Sequence, residues 1–257
     1  MVTFVSRATE APLLPSGISA CLFDLDGVLT QTAKVHAQAW KQMFDAFLAE
    51  RAKVSGLPVL PFQLPEDYTA YVDGKLREDG VRSFLTSRNI ELPEGSRDDP
   101  PTALTVHGLG NRKNDLVLEL IRTHGVDIYP GSVRFVEAVR AAGLGRAVVS
   151  ASKNCREVLT ATGIEDLFQV RVDGLVAERD GLRGKPHPDM FVAAARALGV
   201  HPAHAAVFED AVAGVQAGRA GAFGWVVGVD RVGQSAELER RGADTVVSDL
   251  SELLVEQ

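Results

Sequence analysis

The chain has 257 residues, 46% of them hydrophobic and 24% charged, as expected of a soluble globular protein with one large or two smaller domains. A formal net charge of −7 with no basic stripe speaks against nucleic acid or an anionic membrane surface as the main partner. No apolar run nears the roughly 18 residues that span a bilayer and no charged-then-apolar leader opens the sequence, so a cytoplasmic protein is expected, and a monomer.

Residues 1–17 read as a loosely held arm. Ala20, Cys21, Leu22 and Phe23 then form a short apolar run between Gly17 and Gly27, the pattern of a strand buried on both faces. Asp24 and Asp26 stand at its carboxyl end, where such strands open into a crevice, and Gly27 lets the backbone turn tightly. Two carboxylates so placed can face one ligand. One can ligate a hard cation and accept a phosphoryl group while the other gives and takes a proton. The octapeptide alone also fits an ordinary Asp-rich turn.

Helical spacing of Val35, Trp40, Met43, Phe44 and Phe47 predicts a helix over 33–51, with His36 and Trp40 on one face. Packing alone would explain that pair, and Trp40 reads as core before site wall. A Pro-containing link over 57–65 leads through 68–72 to further helical pattern around 81–85 and 116–121. No buried-strand run appears in this stretch. Residues 33–126 are therefore expected to form a mainly helical domain inserted into an α/β core of residues 1–32 and 127–257, with the two chain crossings as a hinge. Residues 97–101 read as a mobile loop. Gly108-Leu109-Gly110 lacks the third glycine and preceding strand of a dinucleotide fingerprint and reads as a turn.

Beyond the insertion, Ala147-Val148-Val149 is another strand-like run, followed by Ser150, Ala151, Ser152, Lys153 and Asn154 before a helix. Hydroxyls, backbone N–H groups and an ammonium gathered there suit either a phosphate site or a plain N-cap. Lys185 lies in the proline-rich Gly184-Lys185-Pro186-His187-Pro188, where it can be a fixed phosphate contact or a solvated lysine. Ala205 to Phe208 repeat the strand pattern with Glu209 and Asp210 at the tip and a small-residue helix over 211–220. His201 and His204 read as solvated loop histidines. Cys21 and Cys155 read as buried or incidental thiols rather than a disulfide or zinc site.

Taken in order, these motifs resemble the haloacid dehalogenase-like hydrolase superfamily, and DLDGVLTQT from Asp24, with His36, Trp40 and the Ser150 to Asn154 segment, looks like its β-phosphoglucomutase branch. The resemblance implies a doubly wound, Rossmann-like, mainly parallel α/β core with a helical cap, and a sugar phosphate as small-molecule substrate. It implies that Asp24 is phosphorylated, that Asp26 is the general acid/base, and that Mg²⁺ is held by these residues with Asp210 and Glu209. Ser150, Ala151 and Lys185 would grip the transferring phosphate. Thr32, His36, Trp40, Gly74, Lys75, Arg77, Ser152, Lys153 and Asn154 would bind substrate, with Arg77 and residues 152–154 on the distal phosphate of a bisphosphate and His36 as a hinge-side proton relay near Asp26. The implied reaction isomerises β-glucose 1-phosphate to glucose 6-phosphate through glucose 1,6-bisphosphate; the alternative is a phosphatase that uses the same core. In the cap, Asp73, Lys75 and Leu76 stand where a lysine, an aliphatic residue and a serine are familiar, and His187 replaces a small residue.

Overall fold

The structure is a computed structural model describing residues 10–56, 58 and 60–256. Residues 1–9 of the expected arm, and Leu57 and Val59 of the Pro-containing link, lie outside the described residues. In chain order come β1 (Glu10–Pro12), β2 (Ala20–Phe23), α1 (Thr32–Ser55), a single π-turn (Tyr68–Val72), α2 (Arg77–Ser87), α3 (Val106–His124) and α4 (Pro130–Ala141). These are followed by β3 (Gly145–Val149), α5 (Cys155–Thr162), β4 (Val170–Val172), α6 (Gly174–Asp180), α7 (Asp189–Ala197) and β5 (Ala205–Glu209). The chain closes with α8 (Val212–Ala220), β6 (Trp225–Val229), α9 (Ser235–Arg240), β7 (Thr245–Val247) and β8 (Leu254–Glu256).

Six strands form a parallel sheet in the order β4-β3-β2-β5-β6-β7. The apolar runs form strands because helices cover both faces of this sheet. Phe23, Val148 and Phe208 point into one layer with Phe135 and Leu250, while Leu22, Ala147 and Val207 point into the other with Phe191 and Val226. Phe23 stacks on Phe208 at 4.7 Å between ring centroids, tying β2 to β5. These two strands are adjacent, and strand order runs outward from them in opposite directions, which opens a crevice at their carboxyl ends. Asp24 and Glu209 stand at its two lips.

The segment between β2 and β3 contributes α1, the π-turn, α2, α3 and α4, and no strand of the sheet. Phe44, Phe62 and Phe84 centre a separate apolar cluster with Trp40, Val72 and Leu109. At the two crossings the chain runs past itself: Gln31 N–H donates to Asp127 O (2.8 Å) and Tyr129 N–H to Leu29 O (2.9 Å). Among the described residues, no helix is long and apolar enough to cross a membrane.

Three expectations are corrected. Of the arm, β1 pairs antiparallel with β8 and Leu13 N–H donates to Leu253 O (2.8 Å), so residues 10–13 are fastened by a ladder invisible in the local sequence. Gly108 and Gly110 lie inside α3 rather than in a turn. Thr105 caps that helix by accepting from Gly108 N–H (2.9 Å), and a Cβ on Gly108 would fall 2.3 Å from Ala103 O, so close packing explains the glycine. The loop at 97–101 is tied down: Asn111 Nδ2 donates to Arg97 O (3.0 Å) and Asp99 O (2.8 Å), and Thr105 Oγ1 donates to Asp99 Oδ2 (2.6 Å).

Candidate active site

The turn after β2 is built for its two acids. Asp24 N–H still donates to Phe208 O on β5 (2.9 Å), while Gly27 N–H turns back to Thr30 O (2.8 Å). Gly27 takes φ +96°, and a Cβ there would fall 1.8 Å from Asp210 Oδ2. Glycine is thus required twice, by backbone conformation and by the approach of the acid that follows β5. Leu25 returns to the core, as the alternation predicts.

Asp24 pairs with Lys185, whose ammonium also meets Glu209 and lies 5.1 Å above the Phe191 ring. Burial alone would lower Lys185, but the carboxylates of Asp24 and Glu209 carry it above the ordinary lysine value. Lys185 is fully buried and charged, so its reading as a solvated lysine is set aside. Burial pushes Asp24 well above the usual carboxylate range, and Lys185 offsets only part of this. Glu209, grouped with the metal ligands on resemblance, has both oxygens engaged: one on Lys185 and the other accepting from Ala211 N–H (2.9 Å). In this arrangement it is the counter-ion of the lysine. Burial also raises Asp210, with Asp73, Glu209 and Asp24 adding like-charge repulsion.

Asp26 sits in a contrasting environment. Burial acts upward on its carboxyl, yet His36 and hydrogen bonds from Thr32 and Ser150 hold it well below the ordinary value. Ser150 Oγ donates to Asp26 Oδ2 (3.1 Å) and accepts from Ser152 N–H (3.1 Å), so the hydroxyl expected on phosphate here faces the second acid. His36 Nε2 lies 3.3 Å from Asp26 Oδ1, and its Nδ1 is 2.7 Å from Lys113 Nζ. An ammonium only donates, so Nδ1 is the acceptor and Nε2 carries the ring proton toward Asp26. Burial, then the Lys113 charge, lowers His36; burial brings Lys113 down to about 7 despite Asp26. Lys113 also lies 4.9 Å above the Trp40 ring, itself stacked on Phe44.

Facing the acids is a cationic end. Arg77 Nη2 bonds Glu78 Oε1 (3.0 Å) and Asn111 Oδ1 (3.1 Å), and Lys153 Nζ lies 3.0 Å from Glu178 Oε2 and 3.4 Å from Glu78 Oε1. Asn154 Nδ2 donates to Asn114 Oδ1 (3.0 Å), and Ser152 Oγ accepts from Asn154 N–H (3.1 Å). Lys75 turns to Ser83 Oγ (2.9 Å). Gly74, with φ +69°, passes so near the core that an added Cβ would lie 3.0 Å from that of Ala211. One pocket is lined by Asp24, Asp26, His36, Trp40, Gly74, Lys75, Arg77, Ala151, Ser152, Lys153, Asn154 and Asp210. Ser150 and Thr32 stand behind these as partners of Asp26, and Lys185, with its counter-ion Glu209, as the partner of Asp24. The sequence reading missed Lys113, Asn114 and Tyr68, which line the same pocket, as does Asp73, which it noted only as a departure in the cap segment.

The pocket holds only about 60 Å³. Sites for small molecules usually offer about 300–1,000 Å³, so the helical segment stands close against the core here. Elsewhere, His201 and His204 are exposed and Cys21 and Cys155 are buried and free, as expected.

A family model for haloacid dehalogenase-like hydrolases matches residues 18–221. The β-phosphoglucomutase of Mycobacterium bovis is 59% identical over 244 residues, 94% of this chain and 93% of that protein. The Bacillus subtilis β-phosphoglucomutase is 33% identical over 240 residues, 93% of each chain. The crystal structure of Clostridium difficile β-phosphoglucomutase superposes with a TM-score of 0.71 at 27% identity, covering 92% of this chain and 93% of that one. The ordered acids, hydroxyl, lysine and closing acid pair, the parallel sheet that gathers them, and these relatives place the chain in the haloacid dehalogenase-like hydrolase family, in its β-phosphoglucomutase branch.

Proposed function

We propose that the chain isomerises β-glucose 1-phosphate to glucose 6-phosphate through glucose 1,6-bisphosphate, by phosphoryl transfer on and off Asp24. The observation that carries this reading is one pocket lined by Asp24, backed by Lys185, with Asp26 and Asp210, and by Arg77, Lys153 and Asn154. A mutase must hold a bisphosphate at both ends of the sugar while it turns over, whereas hydrolysis needs one phosphate held. The names borne by the mycobacterial and Bacillus relatives support the same reading.

The acids fit Mg²⁺. Asp24 and Asp210 are buried hard-oxygen donors, both raised by burial and by neighbouring carboxylates, and Gly27 leaves room for the Asp210 carboxylate. Among the described residues, no three His, Cys, Asp or Glu side chains already form a metal cluster. Magnesium characteristically takes one or two carboxylates and completes its shell with water and phosphate. The carboxylates of Asp24 and Asp210 would hold it, and when bound it would supply positive charge at the transferring phosphoryl group.

Asp24 attacks phosphorus and the bond to the leaving sugar oxygen breaks. Lys185 stays charged beside that centre and orients the Asp24 carboxylate. Asp26 protonates the leaving oxygen and later removes the proton from the attacking hydroxyl; Thr32, Ser150 and His36 fix its position. Residues 33–126 form the cap domain in this reading. Its closure excludes water from the phosphorylated Asp24 and brings Arg77 to the distal phosphate. The enzyme acts as a cytoplasmic monomer on a small sugar phosphate.

One observation favours the phosphatase reading: Glu78 already neutralises Arg77 and Lys153. Phosphorus NMR of β-glucose 1-phosphate with Mg²⁺ and a trace of the bisphosphate separates the two. Glucose 6-phosphate without free phosphate is expected; free phosphate alone would overturn the mutase.

A further inference from the structure

Arg231 and Gln234 lie on the loop between β6 and α9, outside every motif singled out in the sequence, and each reaches a different acid-bearing turn. β2 ends at Phe23 and β5 at Glu209, so Asp26 and Asp210 stand on turns beyond the strands. Arg231 Nε donates to Gly27 O (2.9 Å) and Nη2 to Val28 O (3.4 Å), both carbonyls of the turn after β2. Gln234 Nε2 donates to Asp210 O (2.9 Å). These two turns meet where a Cβ on Gly27 would fall 1.8 Å from Asp210 Oδ2. One short loop therefore grips both sides of that approach.

The loop is itself anchored. Asp230 Oδ1 accepts from the N–H groups of Val232 (3.1 Å), Gly233 (2.7 Å) and Gln234 (2.9 Å), and Oδ2 from that of Ser235 (2.9 Å). Arg231 is largely buried and turns Nη1 to Ser248 O (2.6 Å) and Asp249 Oδ2 (3.2 Å), while its guanidinium lies 3.6 Å from the centre of the Tyr129 ring at the second chain crossing. A planar fork held by several acceptors and a ring face has little freedom left. Neither Arg231 nor Gln234 is among the side chains lining the pocket of the acids, so both act through the turns they hold. We propose that Arg231 and Gln234 are positioning residues: they set the separation between the turn that follows Asp24 and carries Asp26 and the tip that carries Asp210, and through it the affinity of the acids for Mg²⁺ and the alignment of the reacting groups. Magnesium tolerates little departure from its preferred geometry, and a misplacement of about 1 Å can cost 10²-fold in rate, so small shifts of either turn matter. This rests on the Mg²⁺-assisted transfer read above and adds to it the residues that hold its acids in register.

The test compares wild type, Arg231→Met and Gln234→Met, with Val139→Ala, a truncation on the buried face of α4, as the control for lost stability alone. Each protein is titrated with Mg²⁺ by calorimetry below its unfolding transition, without sugar. Both loop variants should bind Mg²⁺ roughly 10- to 100-fold more weakly, the usual cost of losing a group that orients a metal ligand. At saturating Mg²⁺, with glucose 6-phosphate and free phosphate counted together, kcat on β-glucose 1-phosphate should fall roughly 10-fold while KM stays within about threefold. Val139→Ala should lower the unfolding midpoint and leave Mg²⁺ affinity at the wild-type value. Gln234→Met leaves the Arg231 fork intact and carries the test if Arg231→Met fails to fold. Wild-type Mg²⁺ affinity in the loop variants would overturn the proposal, as would an equal loss in Val139→Ala. Product identity judges the mutase reading separately: if wild type releases only phosphate that reading fails, while the Mg²⁺ titrations still decide the role of the loop. A wild type that binds no Mg²⁺ overturns both.

Discussion

Lys153 Nζ, on the loop after β3, lies 3.4 Å from Glu78 Oε1 in the first turn of α2. The carboxylate of Glu78 also meets Arg77 at 3.0 Å, and these cations hold it below the usual value although burial acts the other way. An internal anion therefore stands where the distal phosphate is proposed to bind. Glu78→Gln should lower the concentration of glucose 1,6-bisphosphate needed for half-maximal activation by about 5- to 10-fold, the order of one partly buried charge interaction. Weaker activation would mean that Glu78 positions Arg77 rather than competing with the ligand.

Asp24→Asn should reduce turnover by about 10⁴-fold or more and abolish transfer of labelled phosphate onto the protein, since no amide can take the nucleophile's place. Burial already disfavours charge at this position, so the variant should fold. Substantial residual turnover would remove the covalent mechanism.

Asp26→Ala separates acid/base work from metal binding. The rate should fall by ~10²–10⁴, while calorimetric titration with Mg²⁺ gives an affinity close to wild type. Loss of Mg²⁺ binding would make Asp26 principally a ligand.

Lys113 predicts a pH dependence of stability. Burial brings its folded value down to about 7, whereas an unfolded lysine titrates near 10.5. Between these values the unfolded chain binds the extra proton, so stability rises with pH across the window, by on the order of 1 kcal/mol per pH unit from this group. Below about 7 both states are protonated and the penalty is constant. Chemical denaturation of Lys113→Met across this range should show a smaller slope than wild type; identical slopes would contradict the assignment.

Gly27→Ala should displace Asp210, because its Cβ would fall 1.8 Å from Oδ2. A loss of about 1–3 kcal/mol in stability and weaker Mg²⁺ binding are expected, read by thermal unfolding with and without the metal.

The core half of the site was legible because each of its groups follows a short apolar run or opens a helix. A parallel strand covered on both faces makes its carboxyl end conspicuous in sequence, as at Phe23-Asp24 and Phe208-Glu209. The cap half was not. Lys113 stands in α3 with no punctuating neighbour, and its meeting with His36, 77 positions earlier, depends wholly on α1 packing against α3. Asp73 and Asn114 gain meaning only from what closes over them. The glycines at 108 and 110 misled for a related reason: they permit close packing inside a helix, at Ala103 and Arg77, which local rules read as a turn.

The paired crossings at 29–31 and 127–129 carry a last consequence. Thr32 and His36, the groups that hold the Asp26 proton equilibrium low, sit on the first turns of α1, immediately beyond that pair. A swing of the helical segment about the crossings takes them with it. The proton affinity of Asp26 would then report domain angle: closed, His36 and Thr32 join Ser150 in holding it down; open, Ser150 alone remains and the affinity rises. In the proposed reading, domain angle and the basicity of the second acid therefore change together, one through the other.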